Sequence, residues 1–289
     1  MLEMSEVGDG LFRKGFAGDT FNMAHYLNVT TAGKIKAEYL TAVGQDADSD
    51  ACLEFIEKKG VLTTRCLRSS MHTLGLFTLS NDANGEKQYG YWRGQSAARH
   101  IFDYPQDLTG YDLIYYSGIT AAITQNKPGL ISAVCEARQQ GATIAFDFNY
   151  RQMLWSADHA TAFAEEILPN TDIVKISDEE LMLLFPGQTV ELFSNQYPDI
   201  EWVLTCSEGK AEVWKGGVML ADQTFNPIKN IVDSSAAGDA FIATYLAAKL
   251  ASENPLLGIK RAHAVASQVV CGKGSIVAVD LSVLDKIHD

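Results

Sequence analysis

The run Asp233-Ser234-Ser235-Ala236-Ala237-Gly238-Asp239-Ala240-Phe241 combines small residues with a carboxylate where a strand is expected to hand over to a helix. Residues 228–232 are short, partly β-branched and bounded by Asp, which predicts a strand end. Ala240, Phe241, Ile242, Ala243, Tyr245, Leu246, Ala247 and Leu250 recur at helical spacing, which predicts a helix over 238–251. A helix beginning near Ala237 leaves its first backbone N–H groups unpaired, and the lack of bulky side chains at 236–238 lets an anion approach them. That is the chemistry of a phosphate cradle. Asp239, in the first turn, would set a carboxylate beside it, within reach of the proton on a hydroxyl that attacks phosphorus. The same residues also permit a plain packing role, with Asp239 complementing the helix dipole.

Three further clusters carry polar chemistry. Gly15 to Ala24 is a Gly-containing turn before a helix start, where Gly18, Asp19 and Asn22 suit sugar hydroxyls; Asp19 as a simple N-cap is the structural alternative. Alternation along a strand places Tyr89, Tyr91 and Arg93 on one face and Gly90 and Trp92 on the other, although an Arg at a strand end can equally be a solvated surface charge. Phe146-Asp147-Phe148-Asn149-Tyr150-Arg151 follows a buried strand at its carboxyl end, where open α/β sheets bind ligands. Asn149 and Arg151 would point into that crevice, unless Arg151 pairs with Asp147.

These groups must be positioned by alternating strands and helices, the layout of a parallel sheet covered on both faces. Strands are predicted at Tyr39–Val43, Leu113–Tyr116, Thr143–Phe146, Ile173–Ile176 and Trp202–Thr205. Helices are predicted at about 49–59, 129–140, 158–168, 178–185 and 256–271, besides the one after Ala237. Leu74 to Trp92 breaks the alternation and reads as a hairpin turning at Asn81-Asp82-Ala83-Asn84-Gly85.

At 289 residues, with 47% hydrophobic and 20% charged residues, the chain has the composition of a soluble globular α/β protein able to bury a full core. A formal net charge of -13 disfavours nucleic acid and anionic membranes as partners, and an anionic substrate would need a local basic pocket. There is no apolar run long enough to span a bilayer and no leader pattern, so a cytoplasmic setting is expected. Five scattered cysteines without a Cys-x-x-Cys pair point to reduced thiols, and six scattered histidines give no ligand spacing, so no protein-held metal is predicted.

The Asp233–Asp239 segment resembles the Asp-Thr-x-Gly-Ala-Gly-Asp signature of the ribokinase-like (PfkB) carbohydrate kinases, with Ala236 replacing the first Gly. Gly15–Ala24 resembles that family's Gly-Gly-x-x-x-Asn-x-Ala signature, about two hundred residues earlier as in the family. The resemblance implies a three-layer α/β/α sandwich with a small β-sheet lid. The body would be 16–72 with 98–289, and the lid 1–15 with 73–97. It implies Asp239 as catalytic base and the amides of Ala236, Ala237 and Gly238 as holders of the transferring phosphoryl group. It also implies Gly18, Asp19 and Asn22 as substrate contacts, and ATP with Mg²⁺ as co-substrate and cofactor. Nucleotide contacts would come from Ser177 (where the family has Asn), Glu180, Thr205, Ser207 (where it has Gly), Gly209 and Gly274. Tyr91-Trp92-Arg93 with the Ala-rich stretch after it, and Phe146 to Arg151 followed by Leu154-Trp155, resemble the 2-keto-3-deoxygluconate kinase branch. A sugar acid brings a carboxylate that a planar guanidinium can hold bidentately, so Tyr91, Arg93, Asn149 and Arg151 become substrate-binding candidates. The implied reaction is phosphorylation of the C6 hydroxyl of 2-keto-3-deoxygluconate, by a homo-oligomer joined through its lids. A kinase for a neutral ketose such as fructose, or a non-catalytic sugar-acid sensor, are the alternatives. Family members open with an apolar central strand, whereas Met1-Leu2-Glu3-Met4-Ser5-Glu6 resembles the segment after it. Either a truncated start or another segment in the central position is expected.

Overall fold

The computed structural model describes residues 1–82 and 87–287. The chain opens with β1 (Leu2–Gly8), β2 (Leu11–Phe16), α1 (Asp19–Thr30), β3 (Ala42–Val43), α2 (Ala47–Lys58), β4 (Leu67–Arg68), β5 (Leu76–Asn81) and β6 (Lys87–Trp92). It continues through β7 (Leu113–Ser117), α3 (Gly118–Ile123), α4 (Lys127–Gln139), β8 (Thr143–Asp147), α5 (Ala157–Ile167), β9 (Ile173–Ser177), α6 (Asp178–Leu184) and α7 (Val190–Gln196). The remainder holds β10 (Glu201–Cys206), β11 (Lys210–Lys215), β12 (Val218–Thr224), α8 (Ala237–Leu250) and α9 (Pro255–Val269).

The main sheet has the order β12-β11-β10-β9-β8-β7. Its β7 to β10 half is parallel and its β10 to β12 half antiparallel. Side chains alternate between two cores, as the pleat requires. Ile144, Phe146, Val174, Ile176, Trp202 and Leu204 pack with Leu130 of α4, Phe163 of α5 and Phe193 of α7. Ala145, Ile173 and Val203 face the opposite layer, with Tyr26 of α1, Leu246 of α8 and Ile259 of α9. Both faces are covered, which is why these strands read as continuous apolar runs. Lys175 is the exception, a cation on the α8 side of β9 with only 7% exposure.

Helix α8 is apolar on nearly every side because it lies between α1, α9 and the sheet. Its alanines and Gly258 of α9 allow the close approach: a Cβ on Gly258 would sit 3.1 Å from the Tyr245 ring. Residues 228–232, predicted as a strand, are irregular instead. Ile231 and Val232 are exposed and Asn230 is left-handed, so β-branched content there does not reflect burial. The predicted strand at 39–43 shortens to Ala42–Val43, with an isolated bridge between Glu38 and Leu62.

A separate four-stranded sheet, β2-β1-β5-β6, covers the carboxyl ends of the main strands. β5 and β6 form the expected antiparallel hairpin, whose turn residues Ala83, Asn84 and Gly85 lie outside the described residues. β1 pairs antiparallel with β2 and parallel with β5, so the chain start belongs to this sheet. No other described segment takes a central place: β7 pairs with β8 alone, and its far edge faces residues 37–40 across a cavity of about 450 Å³.

Candidate active site

Helix α8 begins as its sequence predicts, with Ala237 its first residue and Ala236 at the N-cap in left-handed conformation, φ 61°. Asp233 builds the turn ahead of it. Its Oδ1 accepts from Ser235 N at 2.8 Å and its Oδ2 from Gly274 N at 3.0 Å, while Lys87 of the lid donates to Oδ1 and, at 2.9 Å, to Ser235 Oγ. Burial works to raise this carboxyl, but these donors outweigh it and bring it down to about 2. Ala237 N–H turns back to Ser234 O at 3.4 Å, and Ala237 does not reach the cavity. Ser234, Ser235, Ala236, Gly238 and Asp239 line it.

That cavity, about 710 Å³, lies between the lid and the carboxyl ends of β7 to β10. It collects Gly18, Asp19, Asn22, Tyr91, Arg93, Asn149, Arg151, Ser177, Glu180, Thr205 and Gly274 from the predicted set. Ser207 and Gly209 stay outside. Ser207 is exposed and binds Asp178 Oδ2 through both its N–H and its hydroxyl, while Gly209 forms the tight turn between β10 and β11 at φ 77°. Glu180 completes a capping box with Ser177, and its other oxygen accepts from Tyr150 N at 2.7 Å. It thereby ties α6 to the loop carrying Asn149 and Arg151.

Asp239 is buried, and Asn22 Nδ2 donates to its Oδ2 at 2.9 Å. Burial chiefly, then the Asp19 carboxylate, lift the Asp239 carboxyl to about 7, with Asn22 opposing. A carboxyl poised near neutrality in a cleft suits proton transfer. Asp19 is not the N-cap that the turn allowed; Gly18 holds that position. The Asp19 carboxylate instead accepts from Ser117 Oγ and, at 3.2 Å, from Asn149 Nδ2. Asn149 reaches it from a left-handed backbone, φ 34°. Gly118 makes room for that loop: a Cβ there would lie 2.0 Å from Phe148 O.

On the lid, Tyr89 and Tyr91 stack at 6.1 Å and the Arg93 guanidinium lies 4.5 Å from the Tyr91 ring. Arg93 has a buried Nε without a partner and a contact from its NH1 to Met1 Sδ at 3.9 Å, but no carboxylate pairs with it among the described residues. Arg151 donates to Tyr150 O, its own neighbour, and Asp147 pairs instead with Lys175 at 3.1 Å. Lys175 was not among the predicted site residues. A charged side chain inside the apolar run 173–176 was the signal, since central parallel strands bury both faces.

The family model for "pfkB family carbohydrate kinase" matches residues 8–281. A 2-dehydro-3-deoxygluconokinase of Dickeya dadantii is 31% identical over 303 residues, covering 97% of this chain and 95% of its own. One of Haemophilus influenzae is 29% identical over 300 residues, covering 96% and 93%. A solved structure of 2-dehydro-3-deoxygluconokinase from Thermotoga maritima superposes with a TM-score of 0.84 at 20% identity, over 99% of this chain and 96% of that one, and so shares the fold.

Proposed function

Since the chain belongs to the pfkB family of carbohydrate kinases, and is thus a phosphotransferase with an alcohol acceptor that uses ATP, we propose that its acceptor is 2-keto-3-deoxygluconate, phosphorylated at the C6 hydroxyl. The observation that carries this reading is Arg93. It is a guanidinium stacked on Tyr91, with a buried Nε left unpaired, in the same cavity as Arg151 and Asp239. A partly buried cation whose Nε is left unpaired is costly, and a substrate carboxylate would supply a partner through charge-assisted hydrogen bonds.

In the reaction, Arg93, Arg151 and Tyr91 hold the acid end, while Gly18, Asp19, Asn22 and Asn149 hold the hydroxyls. Asp239 takes the proton from the C6 hydroxyl as its oxygen bonds to the γ-phosphorus and the bond to the β-phosphate oxygen breaks, releasing ADP. Amides of Ala236 and Gly238, the two residues of that turn that reach the cavity, stabilise charge on the moving group, and Lys87 from the lid reaches the same turn. Ser177, Glu180, Thr205 and Gly274 line the cavity on the nucleotide side of this reading. Mg²⁺ entering with the nucleotide would neutralise charge on its phosphates.

The sheet of β1, β2, β5 and β6 acts as the lid in this scheme. Its exposed Val7, Leu11, Phe12 and Trp92 favour a second lid as partner, giving a homo-oligomer. No described helix is long and apolar enough to cross a membrane, and five unpaired cysteines suit the reducing, ATP-supplied cytoplasm of this proposal. The test is ADP release from MgATP across 2-keto-3-deoxygluconate, its galactonate epimer, gluconate, fructose and ribose. Selective turnover of the keto-deoxy acids supports the acceptor. Turnover of fructose alone removes the acid pocket, and binding of the acid without turnover makes the protein a sensor.

A further inference from the structure

Lys175 breaks the rule of its strand. Its neighbours on the same face of the sheet, Ile173, Ala145 and Val203, are all core. Its ammonium is buried and donates to Asp147 Oδ1 at 3.1 Å. A Cβ placed on Gly238 would lie 3.5 Å from Lys175 Nζ, so the ammonium sits directly beneath the first turn of α8, the turn that carries Asp239. Lys175 also lines the cavity shared by Ser235, Ala236 and Asp239.

A buried ion pair gives little net stability, since removing both charges from water costs about what their attraction returns. An apolar residue at 175 facing an uncharged residue at 147 would pack this layer as well. The charge balance of the site supplies a different reason for the lysine. Asp147 on β8, Glu180 on α6 and Asp239 on α8 all face the ammonium, and they outweigh the burial that would otherwise lower its pKa, so it stays charged. Asp239 in turn faces Asp19 of α1, Asp147 and Lys175, with the Tyr26 and Tyr115 hydroxyls beyond. A polyphosphate arriving at the Ala236–Gly238 turn enters a region already holding these carboxylates. Without an interior cation the potential there would repel it.

We infer that Lys175 is a positioning residue for phosphoryl transfer, its ammonium lying under the Gly238 turn and supplying the positive potential that lets the cradle accept a polyphosphate beside four carboxylates. The inference rests on the kinase reading above. Nothing in it requires Lys175 to touch the sugar. A purely structural lysine would serve only to neutralise Asp147.

Two variants of the full chain separate these roles. Lys175→Met alone leaves Asp147 buried without a counter-ion and is expected to lower Tm. Lys175→Met combined with Asp147→Asn removes both charges and should restore most of that Tm. In the double variant kcat is expected to stay about 100-fold down, the scale of losing one transition-state stabiliser. ATP binding, read by calorimetry without sugar, should weaken about tenfold, because of the two charges removed the ammonium is the one directly beneath the Gly238 turn, with adenosine binding unchanged. In Lys175→Met alone the acid limb of the kcat/KM profile should move to higher pH, because Asp239 loses a facing cation while the Asp147 carboxylate stays. A double variant with wild-type kcat and ATP affinity would reduce Lys175 to a counter-ion for Asp147 and overturn the inference. A wild-type protein that binds no ATP would instead overturn the kinase reading itself, and the two failures are distinct.

Discussion

Replacing Asp239 with Asn should abolish turnover and at the same time stabilise the protein above neutral pH. An unfolded Asp titrates near 3.9, whereas burial, reinforced by Asp19, lifts this one to about 7 in the folded state. Between those values the folded chain holds the proton more tightly than the unfolded chain does. The group's contribution to stability therefore falls as pH rises from about 4 to about 7, reaching a deficit of roughly 4 kcal/mol at higher pH. Asn carries no charge, keeps the shape and can still accept the Asn22 hydrogen bond at 2.9 Å. The variant should match wild type near pH 4 to within about 1 kcal/mol and exceed it at pH 8 by about 2–4 kcal/mol. For a chain of this size that is roughly 5–10 °C in Tm. Thermal melts of both proteins from pH 4 to 9, paired with ADP-release rates, make the test. Wild-type kcat/KM should also decline below about pH 7 as the base protonates. A variant less stable than wild type at pH 8, or one whose Tm follows the same pH curve, would refute the account of Asp239 as a carboxylate held at a cost in the core.

Arg93→Ala and Arg151→Ala should each raise KM for the keto-deoxy acid about 10- to 100-fold, the worth of one charged hydrogen bond, while KM for ATP stays within about twofold in steady-state kinetics. Ala236→Gly should raise Tm by about 1–3 °C with activity retained, since relief of a left-handed Ala is worth about 1–2 kcal/mol and the greater freedom of unfolded Gly takes part of it back. Gly118→Ala should cut kcat at least about tenfold in a folded protein, because its methyl must displace Phe148 O, 2.0 Å away, and with it the Asn149 bond to Asp19. Circular dichroism at matched temperature would show whether that loss is local.

Much of the site could be read from side-chain type alone. Asp239 and Asn22 stood out as polar groups in small-residue turns before helix starts, Arg93 and Arg151 as cations at or just beyond strand ends, and the cavity gathers all four. Harder to see were contacts that depend on tertiary packing. Asp19 looked like a helix cap, but the neighbouring strand ends bring Ser117 and Asn149 to it, and nothing local announces partners 98 and 130 residues away. Residues 228–232 looked like a strand because β-branched residues signal burial on average; here Ile231 and Val232 face solvent. Lys175 was visible as an oddity in an apolar run, yet its meaning required knowing that α8 crosses above it. Ser207 and Gly209 were placed by a motif from which Ser207 departs, and they sit at the turn after β10, outside the cavity.

The gap beside β7 bears on how the interior breathes. Strand β7 is the last strand of the main sheet, in contact with α1 and α3, and only β8 pairs with it. Alternate peptide groups along Leu113–Ser117 therefore point into the 450 Å³ space and not at another strand. In amide hydrogen–deuterium exchange, those N–H groups should lose protection well before their counterparts on β8 and β9, giving a half-buried strand beside the cavity the exchange signature of a sheet margin.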